Sequence, residues 1–231
     1  MGMDIDESGN RVLPPGVDYR SIYLSEGSGT TDTSLNGGRL AFDPPASDEH
    51  ADSFTYDPGD PVESVVEYPD YRPRDYGPVE HRLLTYTSEM LEDDLVLVGP
   101  VNAVLYAASS KRDTDWVVRL CDVHPDGRSL SVCDGILRAR YRDSLEQPEP
   151  MQPDTVYRFQ VDLWATAHTF KAGHRLRVHV TSSDFPRYDR NLNTGGPIGH
   201  ESEWQIATNT VFHDAGRPSH LVLPVYGPPS V

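Results

Sequence analysis

Apolar and polar positions alternate with a period of two over much of the chain after Leu83, the pattern of strands with one face in a core and the other in water. In Val156 to Trp164 the apolar positions are Tyr157, Phe159, Val161 and Leu163, with Arg158, Gln160 and Asp162 between them. In His174 to Thr181, Leu176, Val178 and Val180 oppose Arg175, Arg177 and His179, which predicts one dry and one wet face. Trp204, Ile206 and Phe212 share one side of a further strand over 204–212. Leu95 to Val98, Val101 to Ala107, Asp115 to Val123 and Ser219 to Val225 also read as strands. The run 117–124, the turn Pro125-Asp126-Gly127-Arg128 and the run 129–132 read as a hairpin. Beyond it the apolar parity shifts by one between Leu130/Val132 and Leu137/Ala139/Tyr141, and Gly135 stands at the change, where a bulge would absorb the extra residue. No run of ten or more residues has helical periodicity.

The first eighty residues are punctuated rather than periodic. Pro14-Pro15-Gly16, Gly27-Ser28-Gly29, Asn36-Gly37-Gly38, Pro44-Pro45 and Asp57-Pro58-Gly59-Asp60-Pro61 break them into short pieces. Ser21 to Leu24, Arg39 to Phe42 and Phe54 to Tyr56 are long enough to pair with one another or with a sheet edge, but too short to form a core alone. The expectation is an all-β sandwich of about eight core strands. Residues 1–20 form an N-terminal extension, 21–80 an irregular entry segment that drapes over the sandwich, and 81–231 the core.

Composition narrows the function. The chain has 231 residues, and Asp and Glu outnumber Lys and Arg by 36 to 20, so a nucleic-acid partner, which needs a basic face, is not expected. No apolar stretch approaches the length of a membrane helix, and Met1 to Glu7 is acidic, unlike a secretory signal; a soluble, cytoplasmic chain without membrane contact is expected. Lys occurs only at positions 111 and 171, and Asp is favoured over Glu. That bias predicts a halophilic origin, in which a dense acidic surface stays hydrated in strong salt. Cys121 and Cys133 are too few for a disulfide scaffold or a four-ligand zinc site. A hairpin register pairing 121 with 133 would bring the sulfurs together, and two buried thiols are preferred to a bridge.

A search for catalytic motifs finds none. No serine has a Gly-x-Ser-x-Gly setting, His200-Glu201-Ser202-Glu203-Trp204 lacks the second histidine of a zinc-peptidase helix, and the glycine run 195–199 lacks a phosphate-binding lysine. Asp113-Thr114-Asp115 offers too few oxygens for calcium and reads as turn and capping chemistry. His174, following Gly173 at a strand start, reads as a structural histidine. No catalytic, cofactor or metal residue is therefore assigned.

Several segments together carry a family resemblance. Asp113-Thr114-Asp115-Trp116 leads into Arg119 to Arg128 and then Asp134 to Tyr141; Phe170-Lys171-Ala172-Gly173-His174-Arg175-Leu176-Arg177 follows, then Ser182 to Arg187 with Asn191 to Gly195, and finally Pro218 to Val225. In this order they resemble the C-terminal domain of the X-Pro dipeptidyl-peptidase and cocaine esterase (CocE/NonD) serine hydrolases. Ile22 to Leu24, Gly38 to Leu40 and Phe54 to Val62 look like the family's entry into that domain. The resemblance implies a jelly-roll-like β-sandwich related to galactose-binding domains, accessory to an α/β-hydrolase domain that carries the Ser-His-Asp triad. No residue here matches the triad motifs, so the resemblance implies an excised domain or the product of a split or truncated gene, inactive alone.

Three functions are weighed. The first is an accessory domain that packs on the hydrolase domain and shapes substrate access, as part of the same polypeptide or with a separate gene product; self-association is a further option. The second is a carbohydrate-binding module, with Trp116, Tyr188 and Trp204 as candidate stacking rings. The third is an autonomous hydrolase using Ser182, Asp184 and His200. For the first, the loop 184–191 is the candidate docking element, since it gathers aromatic rings, Pro and Arg after a core strand. Trp116, Phe185, Pro186, Arg187, Tyr188 and Asn191 are the candidate interface residues. The alternative for this loop is that it folds back on its own sandwich, with Phe185 buried and Arg187 paired to a local carboxylate.

Overall fold

A computed structural model describes residues 15–27, 34–45, 49–66 and 72–227. Of the N-terminal extension, residues 1–14 lie outside the described residues, as do Ser28 and Gly29 of the glycine turn. Eleven strands follow in chain order: β1 (Val17–Ser25), β2 (Gly38–Ala41), β3 (Asp52–Tyr56), β4 (Leu84–Ser88), β5 (Leu95–Ser109), β6 (Asp115–Val123), β7 (Ser129–Arg138), β8 (Tyr157–Phe170), β9 (Arg175–Thr181), β10 (Ala207–Phe212) and β11 (His220–Tyr226). Their hydrogen-bonded order is β3-β10-β5-β11-β1-β2-β4-β9-β6-β7, with β8 also pairing β5. All pairings are antiparallel except β2 with β4.

This ladder folds on itself into the two layers of a jelly-roll-like sandwich. Trp116 on β6 joins the layers: its ring lies 5.5 Å from Phe159 on β8 and 6.4 Å from Phe54 on β3. Ile22, Leu24, Leu97, Leu105, Val118, Leu163, Val178 and Leu221 complete the same buried cluster. The alternation in β8 is as expected, with Phe159, Val161 and Leu163 buried between exposed Arg158, Gln160 and Asp162. Leu95–Val98 and Val101–Ala107 form one strand, β5, whose pairing with β8 slips between Pro100 and Asn102.

Four local expectations are corrected. The entry strands do not drape: β1 starts at Val17 and, with β2, joins β11 to β4 within the ladder, so Ile22 and Leu24 are core residues. What does cover the sheet is the segment around the 3-10 turn Gly77–Arg82. It is bonded to β7 through Tyr76 N–H to Ser129 O and Ser131 N–H to Arg74 O. That cover buries the polar face of β9 as well, so Arg177 and His179 are not wet. β10 starts at Ala207 rather than 204, and its inward side is Ala207, Asn209 and Val211, leaving Phe212 half-buried and Trp204 and Ile206, which precede the strand, each 54% exposed; a buried asparagine disguised the period.

The fourth correction concerns the hairpin. Its bulge falls at Val132, because Leu120 pairs with Cys133 and Cys121 with Ser131, so 121 and 133 are not register partners; the thiols are free, as preferred, with Cys121 buried and Cys133 partly so. Gly135 serves a different purpose. It pairs regularly with Val118 and lies where a Cβ would collide with the Asp162 carbonyl, so glycine lets β7 pack closely on β8.

Candidate docking face and buried polar network

The outer face of β6 and β9 carries charge that the Gly77–Arg82 cover seals from water. Glu80 projects from the 3-10 turn and accepts hydrogen bonds from Arg177 Nη1 at 2.6 Å and His179 Nε2 at 2.8 Å. Burial pushes the Glu80 carboxyl up, but His179 and Arg177 outweigh it and bring it down to about 2. Burial lowers the pKa of His179, against the pull of Glu80. His179 gives its Nε2 proton to this bond. Its Nδ1 lies 3.7 Å from Cys121 Sγ.

Cys121, His179 and Glu80 thus have the connectivity of a thiol relay, but not its chemistry. All three are buried, and burial pushes the Cys121 thiol up to about 12, the reverse of what an attacking thiolate needs. The triad weighed from sequence is not assembled either. Ser182 Oγ is buried and receives Asn209 Nδ2 at 2.8 Å, Asp184 pairs with Arg119, and His200 is exposed. Asp113 and Asp115 are occupied by cations of the chain itself: Arg140 Nε donates to Asp113 at 2.7 Å, and Arg138 forks onto Asp115.

The loop 184–191 grows out of this polar layer. Asp184, at its root, lies 3.1 Å from the buried Arg119, whose guanidinium is centred 3.5 Å over the Tyr76 ring. Arg187 donates from Nη2 to Asp134 Oδ1 at 2.9 Å and also contacts Asp134 Oδ2 and Asp184, which realises one half of the folded-back alternative. Phe185, the other half, is only partly buried. Its N–H donates to Val62 O and its C=O accepts from Ser64 N–H, and the Phe185–Pro186 peptide is cis. Arg190 lies over the Phe185 ring and donates to Pro58 O at 2.9 Å.

Of the six candidate interface residues, Phe185, Pro186, Arg187 and Tyr188 reach the surface. Trp116 and Asn191 do not and cannot touch a partner. Trp116 is the central core ring, and Asn191 Nδ2 is spent on Asp113 and Asp115 inside the domain. Trp204 and Ile206 join the exposed group instead. Trp204 Nε1 donates to Asp57 Oδ1 at 3.1 Å, and its ring lies against Gly59, so 57–60, 185–190 and 204–206 form one surface. Their apolar character was legible; the reversed parity of β10 was not.

A nearby cavity of about 470 Å³ is lined by Phe54, Tyr56, Asp57, His81 and Arg82 among others. Trp116, Tyr188 and Trp204 do not line it, so the stacking platform weighed for a sugar is not formed there.

Comparison with known proteins is consistent across sequence and structure. Residues 7–222 match the model for the X-Pro dipeptidyl-peptidase C-terminal non-catalytic domain. The chain is similar to cocaine esterase of Rhodococcus sp. (strain MB1 Bresler), at 41% identity over 220 residues, 91% of this chain and 38% of that protein. Among solved structures it resembles an α-amino acid ester hydrolase, with TM-score 0.79 and 33% identity, over 89% of this chain and 36% of the other. It also resembles an aminopeptidase from a marine sediment Thaumarchaeota archaeon, with TM-score 0.81 and 29% identity, over 91% and 37%. The chain therefore spans well under half the length of these relatives.

Proposed function

The chain belongs to the X-Pro dipeptidyl-peptidase C-terminal non-catalytic domain family of CocE/NonD hydrolases, and from that premise we propose that it packs against an α/β-hydrolase catalytic domain and helps wall that domain's substrate entrance. The observation that carries this reading is the family match across residues 7–222. The surface offered for docking is the one formed by 57–60, 185–190 and 204–206. Exposed Trp204, Ile206 and Pro186 beside Arg190 have the aromatic, aliphatic and Arg character that protein interfaces favour. Its loop is braced from behind by Arg119, Asp134 and Asp184, so it would meet a partner with little ordering cost.

The test adds a hydrolase domain of the family in trans to the intact chain and follows amide exchange. Protection of 185–190 and 204–206, weakened by Trp204→Ala with Arg190→Ala, is the expected result. Equal exchange with and without the hydrolase domain would refute the docking face. The chain alone should neither hydrolyse p-nitrophenyl esters nor take up a serine-reactive phosphonate. Stoichiometric labelling lost on Ser182→Ala would instead establish an autonomous hydrolase.

A further inference from the structure

Five carboxylates are buried among the described residues: Glu80, Asp113, Asp115, Asp122 and Asp184. Four are neutralised by arginine, namely Arg177, Arg140, Arg138 and Arg119. Asp122 is different. Its ion-pair partners among the described residues are three imidazoles, with His174 Nδ1 at 2.8 Å from Oδ1, His168 Nε2 at 3.0 Å from Oδ2 and His124 Nε2 at 3.8 Å from Oδ2.

We propose that Asp122, His124 and His174 bind a divalent transition-metal ion of the zinc class, with His168 orienting the Asp122 carboxylate from the side. One ligand atom from each of the three lies within 4.8 Å of the other two. Tetrahedral zinc with bonds near 2.0–2.1 Å needs its ligands about 3.3 Å apart, so small side-chain rotations make room for the ion. Imidazole nitrogen with one carboxylate oxygen is a donor set that suits zinc, nickel or copper rather than calcium or magnesium. The ion would replace the proton between His174 Nδ1 and Asp122 Oδ1, leaving the imidazole N–H on Nε2.

The scaffold is rigid and the approach is open. Asp122 is the penultimate residue of β6, His124 is fixed in the hairpin turn through His124 N–H to Arg128 O, and His174 precedes β9, which pairs with β6 through Asp122 and Leu176. His168 comes from β8, so three strands and a turn meet at the site. His124 and Gly173 line a surface cavity of about 570 Å³, which opens beside the site. Sequence reading missed the group because His124, His168 and His174 share no ligand spacing, and strand pairing alone brings them together.

The test uses the tag-free, chelator-treated full chain, titrated with Zn²⁺ by calorimetry and with Co²⁺ by visible absorption. One equivalent should bind, Co²⁺ should show ligand-field bands of a low-coordinate N/O site that Zn²⁺ abolishes, and Zn²⁺ should raise the thermal midpoint. His124→Gln and His174→Gln should each weaken binding at least tenfold and remove the midpoint rise, while His81→Gln, at an exposed histidine elsewhere, should change neither. His124 is only partly buried, in a turn, so its variant decides the matter if His174→Gln does not fold. Absence of saturable Zn²⁺ binding, or an affinity unchanged by His124→Gln, would overturn the proposal.

Discussion

Replacing Glu80 with Gln keeps the shape of the side chain and removes the charge that joins the Gly77–Arg82 turn to β9. A carboxyl held at about 2 in the folded chain and near 4.5 when unfolded contributes about 3 kcal/mol of stability at neutral pH, at about 1.36 kcal/mol per pH unit. Because the folded pKa is the lower one, this contribution is fully present above pH 4.5 and is lost as pH falls toward 2. At pH 3 the same linkage leaves about 1 kcal/mol. Leaving Arg177 buried without its anion acts in the same direction at pH 7. Urea unfolding of both proteins at pH 7, 5, 4 and 3 should therefore give a gap of about 3 kcal/mol that closes by about 2 kcal/mol over the series. A gap below about 1 kcal/mol at pH 7, or one that stays constant with pH, would refute the assignment of Glu80 as a buried anion serving Arg177 and His179.

Arg119→Met should destabilise by about 3 kcal/mol in urea, because the buried Asp184 loses its near cation and keeps only the longer contact to Arg187, and Arg119→Met with Asp184→Leu should recover much of that loss. Gly135→Ala should lower stability by about 1–3 kcal/mol, since the added methyl meets the Asp162 carbonyl across β7 and β8; an unchanged thermal midpoint would contradict that packing. The acidic, lysine-poor composition predicts a thermal midpoint that climbs steeply from low to molar KCl, and a flat or falling midpoint would remove the expectation of a halophilic origin.

The all-β architecture and most strands were legible because their inward residues are apolar and their outward ones polar, as in β8. Legibility failed where that code breaks. Asn209 is polar yet buried, which inverted β10, and Arg177 and His179 are polar yet sealed beneath a segment whose own sequence shows no period. The bulge at Val132 rather than Gly135 was missed for a related reason. Gly135 lacks a side chain to suit a neighbouring strand, and a single sequence does not distinguish that need from a kink. The loop 184–191, proposed for docking, stands out in the sequence by its aromatic and Arg content. Its bracing does not, since Arg119, Asp134 and Asp184 meet only through the folded sheet.

The pairing of β1 with β11, from Val17 opposite Tyr226 to Tyr23 opposite His220, sets an order of events in synthesis. Among the described strands, the one that leaves the ribosome first has as its neighbour the one that leaves last. Until then the edge of β1 away from β2 lacks its ladder partner, and the nascent chain is exposed to wrong pairings along that edge. Joining the two halves of the ladder must await nearly the whole domain, so its rate is governed by closure of a loop of about two hundred residues. A cell making this domain has to keep β1 from wrong partners until β11 arrives.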